Sequence, residues 1–193
     1  MRKLLMLGLV LSLLMVANLA MAALPDDAII IEAEDAVKMP SNAKIVEAEG
    51  ASGGKALDAD PNAIVEYEFE IPSPGNWYVW VRMFCPSGDA DSLYIGIDGA
   101  TPNPEDAKAP RRALRIYSAA GDSVNTSGES WNVWYWDAGM EKGARSYFRV
   151  RRAGKAKMYI IGRESGTLID QIILTKDKDY NTEQDLQGGP AAK

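Results

Sequence analysis

The sequence contains no histidine and one cysteine, Cys85, among its 193 residues. Without histidine there is no Ser-His-Asp or Cys-His catalytic set, no imidazole ligand for zinc, and no side chain of the kind that most often serves as general base near neutral pH. A lone thiol forms neither an internal disulfide nor a thiolate cage, so the fold must rest on core burial, and Cys85 reads as a small buried hydrophobe. An excess of base is also missing. The 21 Lys and Arg face 27 Asp and Glu, for a net charge of −6, and no basic stripe of the kind that neutralises nucleic-acid phosphates is present. No segment carries a three-turn helical pattern either.

What is present begins with an address. Met1-Arg2-Lys3 leads into an apolar run over residues 4–20 and then Ala20-Met21-Ala22 before Ala23. A positive start, an apolar stretch and an A-x-A site predict a secretory signal peptide over residues 1–22, leaving no membrane anchor after cleavage and an extracellular or periplasmic destination. The alternative is an uncleaved anchor, since the run is nearly long enough to span a bilayer. Cleavage removes Arg2 and Lys3 and no acid, so the remainder is more acidic still.

The mature chain alternates with period two. Val65, Tyr67, Phe69 and Ile71 fall on one face, with Glu66, Glu68 and Glu70 on the other, the mark of a half-buried antiparallel strand. Residues 76–84 are apolar or aromatic on both faces, which predicts a central strand. Residues 93–97 alternate again, and further strands are expected at 29–34, 45–48, 131–137, 147–151, 157–161 and 168–175. Turn signals separate them, among them Ser52-Gly53-Gly54, Pro86-Ser87-Gly88-Asp89, Asp98-Gly99 and Ser165-Gly166. Such a rhythm predicts an all-β, two-sheet antiparallel sandwich over residues 23–180. The rhythm is interrupted by residues 100–130, a long Pro-, Asp-, Ser- and Gly-rich loop in which 111–117 can pair as an edge strand. Residues 181–193 read as a flexible tail.

Three segments, in this order and spacing, resemble secreted carbohydrate-binding modules of the β-jelly-roll, galactose-binding-like type, families 6 and 35: Ile31-Glu32-Ala33-Glu34-Asp35, residues 75–98 with Pro86-Ser87-Gly88 and Asp91-Ser92, and Arg163-Glu164-Ser165-Gly166-Thr167-Leu168-Ile169-Asp170 running on to Thr175. The resemblance spans roughly residues 29–180. It implies a sandwich whose first and last strands are neighbours, and a glycan as partner.

Two constellations bear on chemistry. On a strand, Glu32 and Glu34 aim at one side, and two inward acids near a Gly-rich turn suit calcium, which takes oxygen ligands only. A solvated acidic edge, like Glu66, Glu68 and Glu70, is the alternative reading. The resemblance implies a structural calcium held by Glu32, Glu34 and Asp170. The second constellation is aromatic: Trp131, Trp134, Tyr135 and Trp136 follow the long loop. An exposed indole stacks on the apolar face of a sugar while nearby amides bond its hydroxyls. Trp134 and Trp136 are expected in the core, whereas Trp131 at the loop edge, Asn132 beside it and Tyr117 across the loop are the ligand candidates. In the sugar-binding members resembled, an asparagine commonly stands two residues before the last-strand aspartate; here that residue is Leu168. Glu164 is expected to pair with Arg82 or Arg163 rather than to catalyse. A non-catalytic glycan-binding module is the leading reading. A protein-binding envelope domain of the same fold and a sandwich-fold glycoside hydrolase or lyase are the alternatives, the last needing two carboxylates across a cleft.

Overall fold

A computed structural model describes residues 24–117, 131–137, 140–141 and 144–180. The expected signal peptide, residues 118–130 of the long loop, and the tail beyond Tyr180 lie outside the described residues. Among the described residues, fourteen strands run in chain order. They are β1 (Ile29–Glu32), β2 (Ala43–Glu47), β3 (Lys55–Ala59), β4 (Ile64–Ile71), β5 (Gly75–Phe84), β6 (Ser92–Ile97) and β7 (Thr101–Asn103), then β8 (Leu114–Tyr117), β9 (Trp134–Asp137), β10 (Met140–Glu141), β11 (Ala144–Arg145), β12 (Tyr147–Val150), β13 (Gly154–Gly162) and β14 (Leu168–Thr175). Helical structure among the described residues is limited to two single 3-10 turns, Ala33–Asp35 and Ser52–Gly54.

The larger sheet has eight strands. Its path runs β2-β3-β14-β5-β12-β7, with β1 alongside β14 and β9 alongside β5. The smaller runs β4-β13-β6-β8, and every pairing between these strands is antiparallel. The first and last strands are neighbours, with Ile29 opposite Leu174 and Glu32 opposite Gln171. The sandwich expected from the period-two pattern is therefore present.

Between the sheets lies one core. From β4 it takes Val65, Tyr67 and Ile71, and from β5 Trp77, Val79, Val81 and Met83; Leu93, Ile95, Ile160, Ile172 and Leu174 join them. The second apolar face of β5 also has a use. Trp80 packs with Trp136, Ile173 and Tyr180 on the outside of the larger sheet, where Leu24, Ala28 and Ile30 lie against them. A strand carrying apolar residues on both faces is buried on both, and β5 sits centrally, between β14 and the pair β12 and β9.

Several expectations need correction. β1 ends at Glu32, so Glu34 lies in a 3-10 turn and not on the strand. The strand expected over 131–137 begins at Trp134, and Trp131 makes only a single bridge to Cys85. On β9 the residue facing the inter-sheet core is Tyr135, while Trp136 is buried in the outer cluster and Trp134 is half-buried. Cys85 is fully buried, as expected.

Candidate functional site

The three acids lie near enough to feel one another's charge where β14 breaks step. Ile169 pairs with Met83 and Gln171 with Arg82, which leaves Asp170 as an extra residue in a β-bulge. A bulge shifts the alternation of its strand. Accordingly Ile169 faces the inter-sheet core, but beyond the bulge the core residues are Ile172 and Leu174. Asp170 itself is fully buried. Its Oδ1 accepts the Ser52 backbone N–H at 2.9 Å, and its Oδ2 is bound by the Arg82 guanidinium. The tight Ser52–Gly54 turn that offers this N–H is permitted by Gly53 at φ 59°, a left-handed conformation natural to glycine.

Glu32 and Glu34 reach the same place by different backbone routes. Glu32 Oε1 accepts from the Gln171 side-chain amide at 2.7 Å, across the β1–β14 pairing. A Cβ built on Gly53 would stand 3.2 Å from Glu34 Oε1, so the Ser52–Gly54 turn lies close against that carboxylate. Burial pushes the Glu34 carboxyl above its usual range, and the charges of Glu32 and Asp170 add to this against a lowering backbone hydrogen bond. Glu32 Oε2 and Glu34 Oε2 are both buried with no hydrogen-bond partner among the described residues.

Those two orphan oxygens fit a hard cation. Asp170 fits less simply, because Arg82 already neutralises it. Among the described residues no group of three acids is spaced to hold a metal outright. Arg82 is the residue sequence reasoning assigned elsewhere, as a possible partner of Glu164. Glu164 contacts Arg163, the other partner expected for it, and accepts from the Asp91 backbone N–H and the Ser92 hydroxyl at 2.9 and 2.8 Å. Its oxygens are thus used in joining the start of β6 to the turn before β14.

The aromatic candidates gather around another connection, residues 85–92, which leads from β5 to β6. Trp131 bridges to Cys85 at one end of it, and Tyr117 pairs with Ser92 at the other. The Trp131 ring lies against Gly88 and is half-buried, touching the inter-sheet core. Asn132 is exposed in a left-handed conformation (φ 60°), and its N–H donates to the Cys85 carbonyl at 2.9 Å. That bond fixes the loop tip and leaves the amide side chain in solvent.

Trp134 forms a separate shelf. Its indole N–H donates to the Glu49 carbonyl at 2.8 Å, Arg82 stands 5.3 Å from its ring centroid and Phe84 5.6 Å. Gly50 at φ 81° makes the room, since a Cβ there would press on the indole at 3.0 Å. Leu168, opposite Phe84, borders this shelf in the register of β14.

Comparison with known proteins bears on the fold. No family model matches the chain. Over 125 residues, 61% of its length, it is 24% identical to uncharacterized protein P23 of Formosa agariphila, of which it spans only 26%. Its structure is similar to the GH26-CBM35 β-(1,4)-mannanase of Podospora anserina, with a TM-score of 0.54 and 14% identity, covering 78% of this chain and 28% of that one. It is similar at TM-score 0.51 and 18% identity to the carbohydrate-binding module CBM6cm-2 of Cellvibrio mixtus lichenase 5A, solved with cellotriose, covering 77% and 96% of the two chains. A family 35 carbohydrate-binding module of Clostridium thermocellum gives 0.51 and 17%, covering 76% and 97%. The jelly-roll fold shared by families 6 and 35 is thereby borne out.

Proposed function

We propose that the chain is an exported, non-catalytic carbohydrate-binding module with a structural calcium ion. The observation that carries this reading is the sandwich end built on residues 85–92. There a half-buried indole, Trp131, is followed by an exposed amide, Asn132, whose backbone is pinned to Cys85. A flat apolar face with a polar group beside it is the arrangement a sugar ring needs. The position of Tyr117 opposite Ser92 brings a second aromatic residue to the same connection. The jelly-roll neighbours, two of them carbohydrate-binding modules in their own right, support the same class of ligand.

In this reading Glu32 and Glu34 hold the calcium with their spare oxygens, and Asp170 is the third acid of the set. The ion supplies charge neutralisation and ties the Ala33–Asp35 turn to the bulge of β14. The test is a glycan array on the protein from Ala23 onward, run with calcium and with chelator. Retention of a defined glycan class supports the reading. An array blank under both conditions overturns it in favour of a protein-binding domain of the same fold.

A further inference from the structure

The outer face of the smaller sheet carries a feature that the site above does not use. Tyr159 on β13 sits directly opposite Gly96 on β6, and its ring lies over that glycine, where any side chain would collide with it. Arg111 caps the ring, its guanidinium carbon 4.7 Å from the centroid. The Tyr159 hydroxyl donates to the Arg112 carbonyl at 3.3 Å, and Ala109 and Ala113 settle on Tyr94 and Ile161. These contacts hold the segment before β8 against the sheet.

Beside it opens a cleft of about 540 Å³, bounded by Arg111 and Arg112, by the β6–β7 turn at Asp98 and Ala100, and by Arg151 just past β12. This volume lies in the range of small-ligand sites, about 300–1,000 Å³. Three arginines thus converge in a chain whose net charge is −6. Arg112 is satisfied by Glu105 through bonds of 3.1 to 3.3 Å. Arg111 and Arg151 form no ion pair among the described residues, and Asp98 is the one acid on the rim. Stacking on Tyr159 orders the Arg111 head group and leaves its in-plane N–H donors for a planar or tetrahedral anion.

We propose that this cleft is a second glycan contact, in which Arg111 and Arg151 together hold the anionic group of an acidic polysaccharide, a uronate carboxylate or a sulfate ester. The inference rests on the glycan-binding reading above and adds the charge class of the ligand. Oxyanions of both kinds match a guanidinium fork.

The experiment is calorimetric titration with trigalacturonate, with a sulfated galactan oligosaccharide, and with an uncharged galactan oligosaccharide of equal length. Binding of trigalacturonate alone identifies the carboxylate, of the sulfated probe alone the sulfate ester, and of both a site that reads charge. Arg111→Gln and Arg151→Gln each lower affinity for the charged probe by about tenfold, the loss of a charge-assisted hydrogen bond, and leave the uncharged probe unaffected. Arg151 is exposed and forms no ion pair among the described residues, so its variant keeps the wild-type melting temperature and decides the matter even if Arg111→Gln loosens the loop. Unchanged affinity in both variants overturns the proposal. So does binding of uncharged glycans without charged ones, a result that leaves the glycan-binding reading standing; failure of all three probes and of the array removes both.

Discussion

Arg82 and Asp170 contact each other at the one place where β14 falls out of step with β5. The bulge puts a carboxylate where the plain alternation of β14 puts none, and the guanidinium, itself mostly covered, neutralises it. Arg82 also donates to the Gly50 carbonyl at 3.0 Å and stands beside Trp134. One side chain therefore links the acid cluster to the Trp134 shelf.

Removing Arg82 leaves the Asp170 charge buried with only the Ser52 N–H. Breaking a buried pair from one side costs about 3–5 kcal/mol, which for a domain of this size lowers the melting temperature on the order of 10 °C. Arg82→Met, melted in chelator, is expected to show that loss, and adding Asp170→Leu to recover part of it. A single variant that melts with the wild type means that Asp170 does not depend on this pair.

Calcium is expected to raise the melting temperature by several degrees. Binding to the native state alone adds about 2.7 kcal/mol at a hundredfold excess over Kd. Glu34→Gln and Glu32→Gln each remove one of the two orphan oxygens, so each is expected to abolish the shift while still folding. Identical melts of metal-checked wild type in calcium and in chelator refute the site.

How far the sequence carried this reading depends on which interactions are local. Period two is a local signal, so β4, β5 and β6 were legible along with the faces they bury. β3 was missed because Lys55-Ala56-Leu57-Asp58-Ala59 has one large apolar residue, and its burial comes from lying between β2 and β14. The acids were legible as a group but not in their geometry. Glu32 and Glu34 were placed together by strand spacing, whereas the turn at Ala33–Asp35 and the bulge at Asp170 are what bring them close. Nothing local marks Arg82 as the partner of Asp170, 88 residues away. The faces of β9 were misjudged because Trp134 and Trp136 suggest a core that Tyr135 occupies.

Burial holds the Cys85 thiol up to about 12, although the Tyr135 hydroxyl, donating to Sγ at 2.9 Å, works the other way. The native protein is therefore expected to leave a thiol-disulfide reagent unreacted at pH 8 and to react after denaturation. The native state keeps its proton where the unfolded chain, near the ordinary value of 9.0, loses it. The protonated thiol's contribution is thus fully present below about pH 9 and is lost as pH rises toward 12. Cys85→Ala should flatten that decline; an equally steep decline assigns it to other groups.

The three tryptophans after the long loop separate by burial, and so should their alanine variants. Trp136 is 3% exposed within the outer cluster, so Trp136→Ala is expected to cost about 3–5 kcal/mol and unsettle the fold before binding can be judged. Trp134 loses one hydrogen bond and a cation–π contact, roughly 1–2 kcal/mol together. Trp131 is half-buried, packed against the core and against Gly88, and is followed by the exposed Asn132. Its alanine variant should remain folded, with a modest drop in melting temperature, and lose about 2 kcal/mol of glycan affinity, close to thirtyfold. Circular dichroism melts paired with titration of the array-selected glycan distinguish the cases. If Trp131→Ala binds that glycan as wild type does, the 85–92 end is not the contact surface; if Trp134→Ala alone loses affinity while folded, the sugar lies instead on the shelf bordered by Phe84 and Leu168.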